Sequence, residues 1–173
     1  MNIGGPISPR QRRISQPGRV VLTSWAYGRV GDTLVLCTEG PAEARDDDVE
    51  GWLARLAIPD FSKILSLSNG APPTPKHRSQ IAKFWESSGR PMPPVAILTD
   101  SMVARAVMKA LEWLSRNMEM RAFPSSDVEG ALRWLQSDAP LGHVNEALAV
   151  LSAALRASNE RSAAQRIPKP PSE

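Results

Sequence analysis

Residues 95–135 read VAILTDSMVARAVMKALEWLSRNMEMRAFPSSDVEGALRWL. The four apolar residues Val95-Ala-Ile-Leu98 are too few for a helix and are bounded by Pro94 and the turn-forming Thr99-Asp-Ser101, so they predict a buried strand. After Asp100 the apolar positions Val103, Ala106, Val107, Ala110, Leu111 and Leu114 follow a helical spacing, which predicts a helix with that stripe buried and Lys109, Glu112 and Arg116 in solvent. Met118 to Phe123 reads as a second strand. Ser126-Asp-Val-Glu129 matches a capping box opening a second helix, with Val128, Ala131, Leu132 and Leu135 on its apolar face. A buried strand must be covered by the apolar side of a helix, and this run supplies that pair twice.

The same grammar extends outward in both directions. Val20 to Trp25 and Thr33 to Thr38 read as strands of a hairpin, with the reversal within Tyr27-Gly-Arg-Val-Gly-Asp32 on one side or the other of Arg29-Val30. Asp46-Asp-Asp48 precedes Val49, Trp52, Leu53 and Leu56, an apolar stripe whose acidic start suits the positive end of a helix dipole. Consecutive helical residues point in different directions, so these aspartates form a cap and a solvated first turn better than a metal site. Lys63 to Ser68 is the third strand, ended by Asn69-Gly70 and the loop Ala71 to Pro75. Thr74-Pro75 starts a helix, since proline lacks only an N–H that the first turn does not use. Ile81, Phe84 and Trp85 form its buried face, and Arg90-Pro-Met-Pro-Pro94 ends it.

Beyond residue 136, Val144, Leu148, Leu151 and Leu155 recur at spacings of four, three and four. This stripe either docks onto the domain or forms a short homodimer seam with another copy of the chain. The predicted fold is α/β: a mixed, mostly parallel sheet with an N-terminal hairpin, covered by helices, plus an extra C-terminal helix. The expected organisation is a flexible basic arm over 1–19, an α/β domain over 20–136, an additional helix over 137–160 and a flexible tail over 161–173.

The formal charge is +3, but its location matters more than its sum. The first 19 residues carry Arg10, Arg12, Arg13 and Arg19 and no acid, whereas residues 20–156 hold more acidic than basic groups. A basic arm on a mildly acidic body points to nucleic-acid or acidic-surface binding through the arm alone. The single Cys37 lies in an apolar run and fits a small buried hydrophobe; one cysteine and two histidines exclude a cysteine-rich zinc site. No stretch approaches the ~18 apolar residues of a membrane span, and no apolar run follows the basic N-terminus. The expectation is a cytoplasmic protein without membrane insertion.

With Val95 to Asp100, Ala110-Leu-Glu-Trp-Leu114 and Phe123 to Leu135, the order of elements resembles the STAS superfamily, and more narrowly its bacterial STAS/SEC14-like, anti-sigma factor antagonist-like branch. The likeness covers about residues 20–136. It implies a non-enzymatic regulatory or signalling module that binds a partner protein or a small ligand. Some members of the superfamily are switched by phosphorylation of a serine in an Asp-Ser-Ser-Gly phrase after the third strand. The matching stretch here is Leu67-Ser68-Asn69-Gly70, which puts Ser68 at the phosphorylated position, with Leu67 in place of the aspartate and the Ala71 to Pro75 loop delaying the helix.

In open α/β sheets, ligands gather at the carboxyl ends of the strands. Ser68, Asn69 and Gly70 would therefore lie near Thr99, Asp100 and Ser101 if their strands are neighbours, forming a candidate ligand or partner site. Helix N–H groups after Asp100 could receive an anion, with Arg105 one turn further on. The plainer role of Asp100 or Ser101 is to cap that helix. His77 and Arg78 read as a solvated helix start, and the tryptophans as core. Arg12-Arg-Ile-Ser15 resembles a basic-directed phosphorylation site at Ser15. No nucleophile elbow, phosphate loop, metal cluster or cofactor motif occurs, so a small hydrolase or transferase is the weaker alternative, and no catalytic residue, metal or cofactor is assigned.

Overall fold

A computed structural model of the protein describes residues 20–21, 25–39, 46–69, 74–114 and 119–165. Its elements are β1 (Val20–Val21), β2 (Trp25–Val30), β3 (Thr33–Thr38), α1 (Asp46–Leu56), β4 (Lys63–Ser68), α2 (Pro75–Ser88), β5 (Val95–Leu98), α3 (Met102–Leu114), β6 (Met120–Phe123), α4 (Val128–Trp134) and α5 (Leu141–Gln165). The six strands lie side by side in chain order. β1, β2 and β3 are antiparallel neighbours, and β3 to β6 are parallel. The predicted mixed, mostly parallel α/β sheet is thus present.

Each parallel strand is added on the same side of its predecessor, so right-handed crossovers must place the connecting helices on one face. Side-chain packing agrees. Trp52 and Leu56 of α1 and Trp85 of α2 pack with Trp25, Tyr27, Leu34, Leu36, Ile64 and Val95 on this crossover face. Alternate residues of the same strands, Ala26, Val35, Cys37, Leu65, Ala96 and Leu98, face the other way and pack under α4 and α5.

The stripe Val144, Leu148, Leu151 and Leu155 is buried in this second layer. Its burial decides between the two expectations for α5: the stripe covers β2 and β3 of its own chain, which leaves no homodimer seam there. Full burial of a side chain such as Leu155 contributes about 1.5–3 kcal/mol.

Several local expectations change. The first hairpin strand is Trp25–Val30 rather than Val20 to Trp25, and the reversal is the two-residue turn Gly31-Asp32, flanked by the pair Val30 and Thr33. Gly31 has φ +59° and no other residue of the turn is positive, the pattern of a type II′ hairpin turn. Val20–Val21 instead adds a short edge strand to β2. The cap of α4 is Asp127, whose carboxylate accepts the Gly130 N–H at 3.0 Å, in place of Ser126. Glu129 pairs with Arg133 one turn along rather than reaching back to the cap. Val103 and Ala106 are exposed, contrary to the predicted stripe.

The amino ends of β3 and β4 are clasped to the turn between α4 and α5. Asp32 accepts hydrogen bonds from Lys63 Nζ at 2.6 Å and Ser62 Oγ at 3.1 Å, and Lys63 also donates to the Gln136 carbonyl at 2.6 Å. Thr33 Oγ1, fully buried, lies 2.7 Å from Ser137 Oγ. Burial is the largest influence on Asp32 and opposes its charge, but the hydrogen bonds led by that of Lys63 outweigh it and hold the carboxyl below its ordinary value.

Candidate functional site at the carboxyl rim

The parallel strands end together at the opposite rim. Thr38 is paired with Ser68, and Leu67, Leu98 and Phe123 are in register across β4, β5 and β6. One residue further along, Ser68 adjoins Thr99, and Thr99 N–H donates to the Phe123 carbonyl at 2.9 Å. Asn69 N–H donates to the Thr38 carbonyl at 3.0 Å. The pairing therefore brings Ser68 and Asn69 beside Thr99, Asp100 and Ser101. Alternation along the strands puts Thr38, Ser68 and Thr99 on the crossover face. Gly70 and Ser15 lie outside the described residues.

Local hydrogen bonding divides the work at the start of α3. Thr99 is buried and its hydroxyl accepts the Ser101 N–H at 3.3 Å. Ser101 Oγ accepts the Ala104 N–H at 3.1 Å, so Ser101 is the cap of this helix. Asp100 has a different role. Its carboxylate accepts the Ser125 hydroxyl at 2.6 Å and the Ser125 N–H at 3.2 Å. The Ser125 hydroxyl first, then its N–H, hold this exposed carboxyl below the usual aspartate range, with Arg105 adding attraction. A firmly anionic Asp100 beside the helix start makes the spot poor for a bound anion. Half-buried Arg105 stands one turn into α3.

Two large apolar side chains complete the surface. Met102 is 77% exposed and Val103 74% exposed, directly after the Asp100-Ser101 turn. Sequence reasoning missed Met102 as a surface residue and missed Ser125 and Thr38 as rim residues. Thr38 ends β3 as Ser68 ends β4, and Ser125 lies just past β6 as Thr99 lies just past β5, which is the signal that would have found them. His77 also departs from expectation: it is 4% exposed and faces the core, while its neighbour Arg78 is in solvent. Thr74, whose hydroxyl accepts the His77 N–H at 3.2 Å, caps α2 as predicted.

Among the described residues no cluster of three or more histidine, cysteine or acidic side chains could hold a metal ion. Nor is any described helix long and apolar enough to cross a membrane. A family model described as SpoIIAA-like matches residues 46–136, from the first residue of α1 to just past α4. The chain belongs to the SpoIIAA-like family. This agrees with the STAS, anti-sigma factor antagonist-like resemblance read from the sequence. SpoIIAA-like domains generally serve as regulatory protein-interaction modules and are generally non-enzymatic. The matched segment of this SpoIIAA-like chain includes every described rim residue from Ser68 to Ser125 except the flanking Thr38. No curated protein and no solved structure matches the chain.

Proposed function

We propose that this SpoIIAA-like protein is a non-enzymatic signalling module of the bacterial cytoplasm that binds a partner protein through its carboxyl rim. In this reading Ser68, Asn69, Thr99, Asp100, Ser101 and Arg105 supply the polar edge, and Met102 and Val103 supply the apolar anchors. The observation that carries it is the exposure of Met102 and Val103 beside a rim of short polar side chains. Stable interfaces place desolvated apolar anchors inside a polar border, and a Met-Val pair left in water has no structural purpose of its own.

Ser68 is half-buried at the end of β4 and not committed to a hydrogen bond by its side chain among the described residues. Phosphorylation there would add about −1.5 to −2 charge next to the Thr99-Asp100 turn, where Asp100 is already negative. Such a change would repel an acidic partner surface and act as a switch. Affinity purification from the native cell tests both parts. Met102→Asp is expected to lose the partner retained by wild type, and Ser68→Asp is expected to differ from Ser68→Ala. An identical set of bound proteins for all four baits would refute the rim as the interface.

A further inference from the structure

Charge is unevenly spread over the folded body. From Thr74 to Leu111, which takes in α2, β5 and most of α3, the six basic residues Lys76, Arg78, Lys83, Arg90, Arg105 and Lys109 stand against Glu86 and Asp100 alone. The rest of residues 20–165 holds nine basic residues and fifteen acidic ones. A positive strip is thus set into a negative body, and the apolar anchors Met102 and Val103 lie within it.

The fold decides which charges border the anchors. α2 follows β4 and α3 follows β5, so both helices start at the carboxyl rim and run back over the crossover face. Lys76 and Arg78 open α2, Lys83 follows Lys76 by two turns, and Arg105 and Lys109 lie in the first two turns of α3; all are exposed except the half-buried Arg105. The acids are placed elsewhere. Asp100 is tied to Ser125, Glu86 sits in the last turn of α2 at the opposite rim, and Asp46 to Asp48 open α1, which the strand order sets beyond α2 from the anchors. Arg90 also belongs to the opposite rim, where it donates to the carbonyls of Leu56 and Ala57 at 3.4 Å. Spacings of four and three put Met102, Ala106 and Lys109 on one outward stripe of α3 with Val103 beside it, and all four are exposed.

We infer that the partner met by this rim presents an acidic protein surface with an aliphatic centre. Its carboxylates face Lys83, Arg105 and Lys109, and its apolar side chains cover Met102, Val103 and Ala106. Opposite charge around an apolar centre steers the encounter and selects the partner, while the centre supplies the desolvated contact. A nucleic acid fits this surface less well. The acidic remainder of the body repels a long phosphate backbone, and among the described residues none of the exposed large apolar side chains is aromatic, as base stacking requires. The inference rests on the reading of the rim as a partner-binding surface and adds the chemistry of the partner.

Two amphipathic peptides with the same leucine stripe, one completed with glutamate and one with lysine, test it when titrated into the full chain while backbone amide resonances are followed. The glutamate peptide is expected to shift the amides of Met102 to Lys109 saturably, and to bind more weakly as salt rises from about 0.1 to 1 M and the screening length falls from about 10 to 3 Å. The lysine peptide is expected to leave them unmoved. Lys83→Glu combined with Lys109→Glu, both at exposed positions, should weaken the glutamate peptide about tenfold and admit the lysine peptide. Equal shifts by the two peptides would overturn the acidic partner and leave the rim standing as an apolar docking surface. Shifts by neither would overturn it as well, and the rim reading would then stand or fall on whether Met102→Asp loses its partner in the cell. A DNA duplex that moves the same amides alike in wild type and in Met102→Asp would overturn it in favour of a nucleic acid.

Discussion

The Asp100 carboxylate holds Ser125 by two hydrogen bonds, from the hydroxyl at 2.6 Å and from the backbone N–H at 3.2 Å. Residues 25 positions apart thereby fix two rim turns, the one leading into α3 and the one leading into α4, against each other. The pairing also determines what the rim can present, because it keeps Asp100 ionised and turned toward the β6–α4 turn rather than capping α3.

This relationship predicts a pH response. The folded-state pKa of Asp100 lies below its ordinary value of 3.8, so the tie is intact above that value and is lost as the pH falls through the folded one. A titration followed at the Ser125 amide should show a midpoint below 3.8. A midpoint at or above 3.8 would show that the Ser125 contacts do not favour the charged carboxylate. Asp100→Asn should speed hydrogen exchange at the Ser125 amide and leave exchange in β3 unchanged.

The Asp32 clasp at the other rim predicts a stability effect. Asp32→Asn removes the charge that Lys63 meets at 2.6 Å and is expected to cost about 1–2 kcal/mol at neutral pH, allowing for partial solvent exposure. Because the folded pKa is depressed, that contribution is present above 3.8 and disappears as the pH drops through the folded value. Urea unfolding at pH 7 should therefore separate the variant from wild type, and the gap should shrink in acid. A gap that stays constant into acid would assign the effect to shape rather than charge.

Cys37 is expected to be chemically silent in the native state. Burial pushes its thiol up to about 11 from an ordinary 9.0, against a weaker opposing hydrogen bond from Ser152. The thiolate is the reactive form, so iodoacetamide should label the protein only as fast as it unfolds. The raised folded value also means that stability is unaffected below pH 9 and falls as the pH rises from 9 toward 11. Rapid labelling of the folded protein at pH 8 would contradict this burial.

Much of the sheet was legible from local patterns. Lys63 to Ser68 and Val95 to Leu98 are short apolar runs closed by turn residues, and Thr74-Pro75 starts α2 by a mechanism that needs no tertiary information. Tyr27-Gly28-Arg29-Val30 was not legible as strand, because glycine signals a turn by itself. Gly28 is paired with Val35 and buried, and by alternation lies on the face that α5 approaches closely, a reason visible only once α5 is in place. The exposure of Val103 was hidden for a related reason: between Met102 and Met108 Arg105 alone is polar, too little for periodicity to choose the inner side. At the rim, the Ser68 and Asp100 neighbourhood followed from strand order, whereas Ser125 enters through a contact between distant turns that spacing does not encode.

The role of α5 gives a prediction about cohesion. Leu155 is fully buried with Val144 under the sheet, so Leu155→Ala should cost about 2–5 kcal/mol in urea unfolding. Size-exclusion chromatography with light scattering should give the same mass for the variant and wild type. A halved mass with little change in stability would restore the seam between copies.

The account's central claim is that the rim around Met102 and Val103 meets a partner protein. A photo-cross-linking residue at position 103, compared in living cells with one at Val150 of α5, an exposed valine away from the rim, tests it most directly. The account predicts a discrete adduct from position 103, none from position 150, and suppression of the adduct by wild-type chain but not by Met102→Asp chain. An adduct from both positions alike, or competition by Met102→Asp as effective as by wild type, would contradict it.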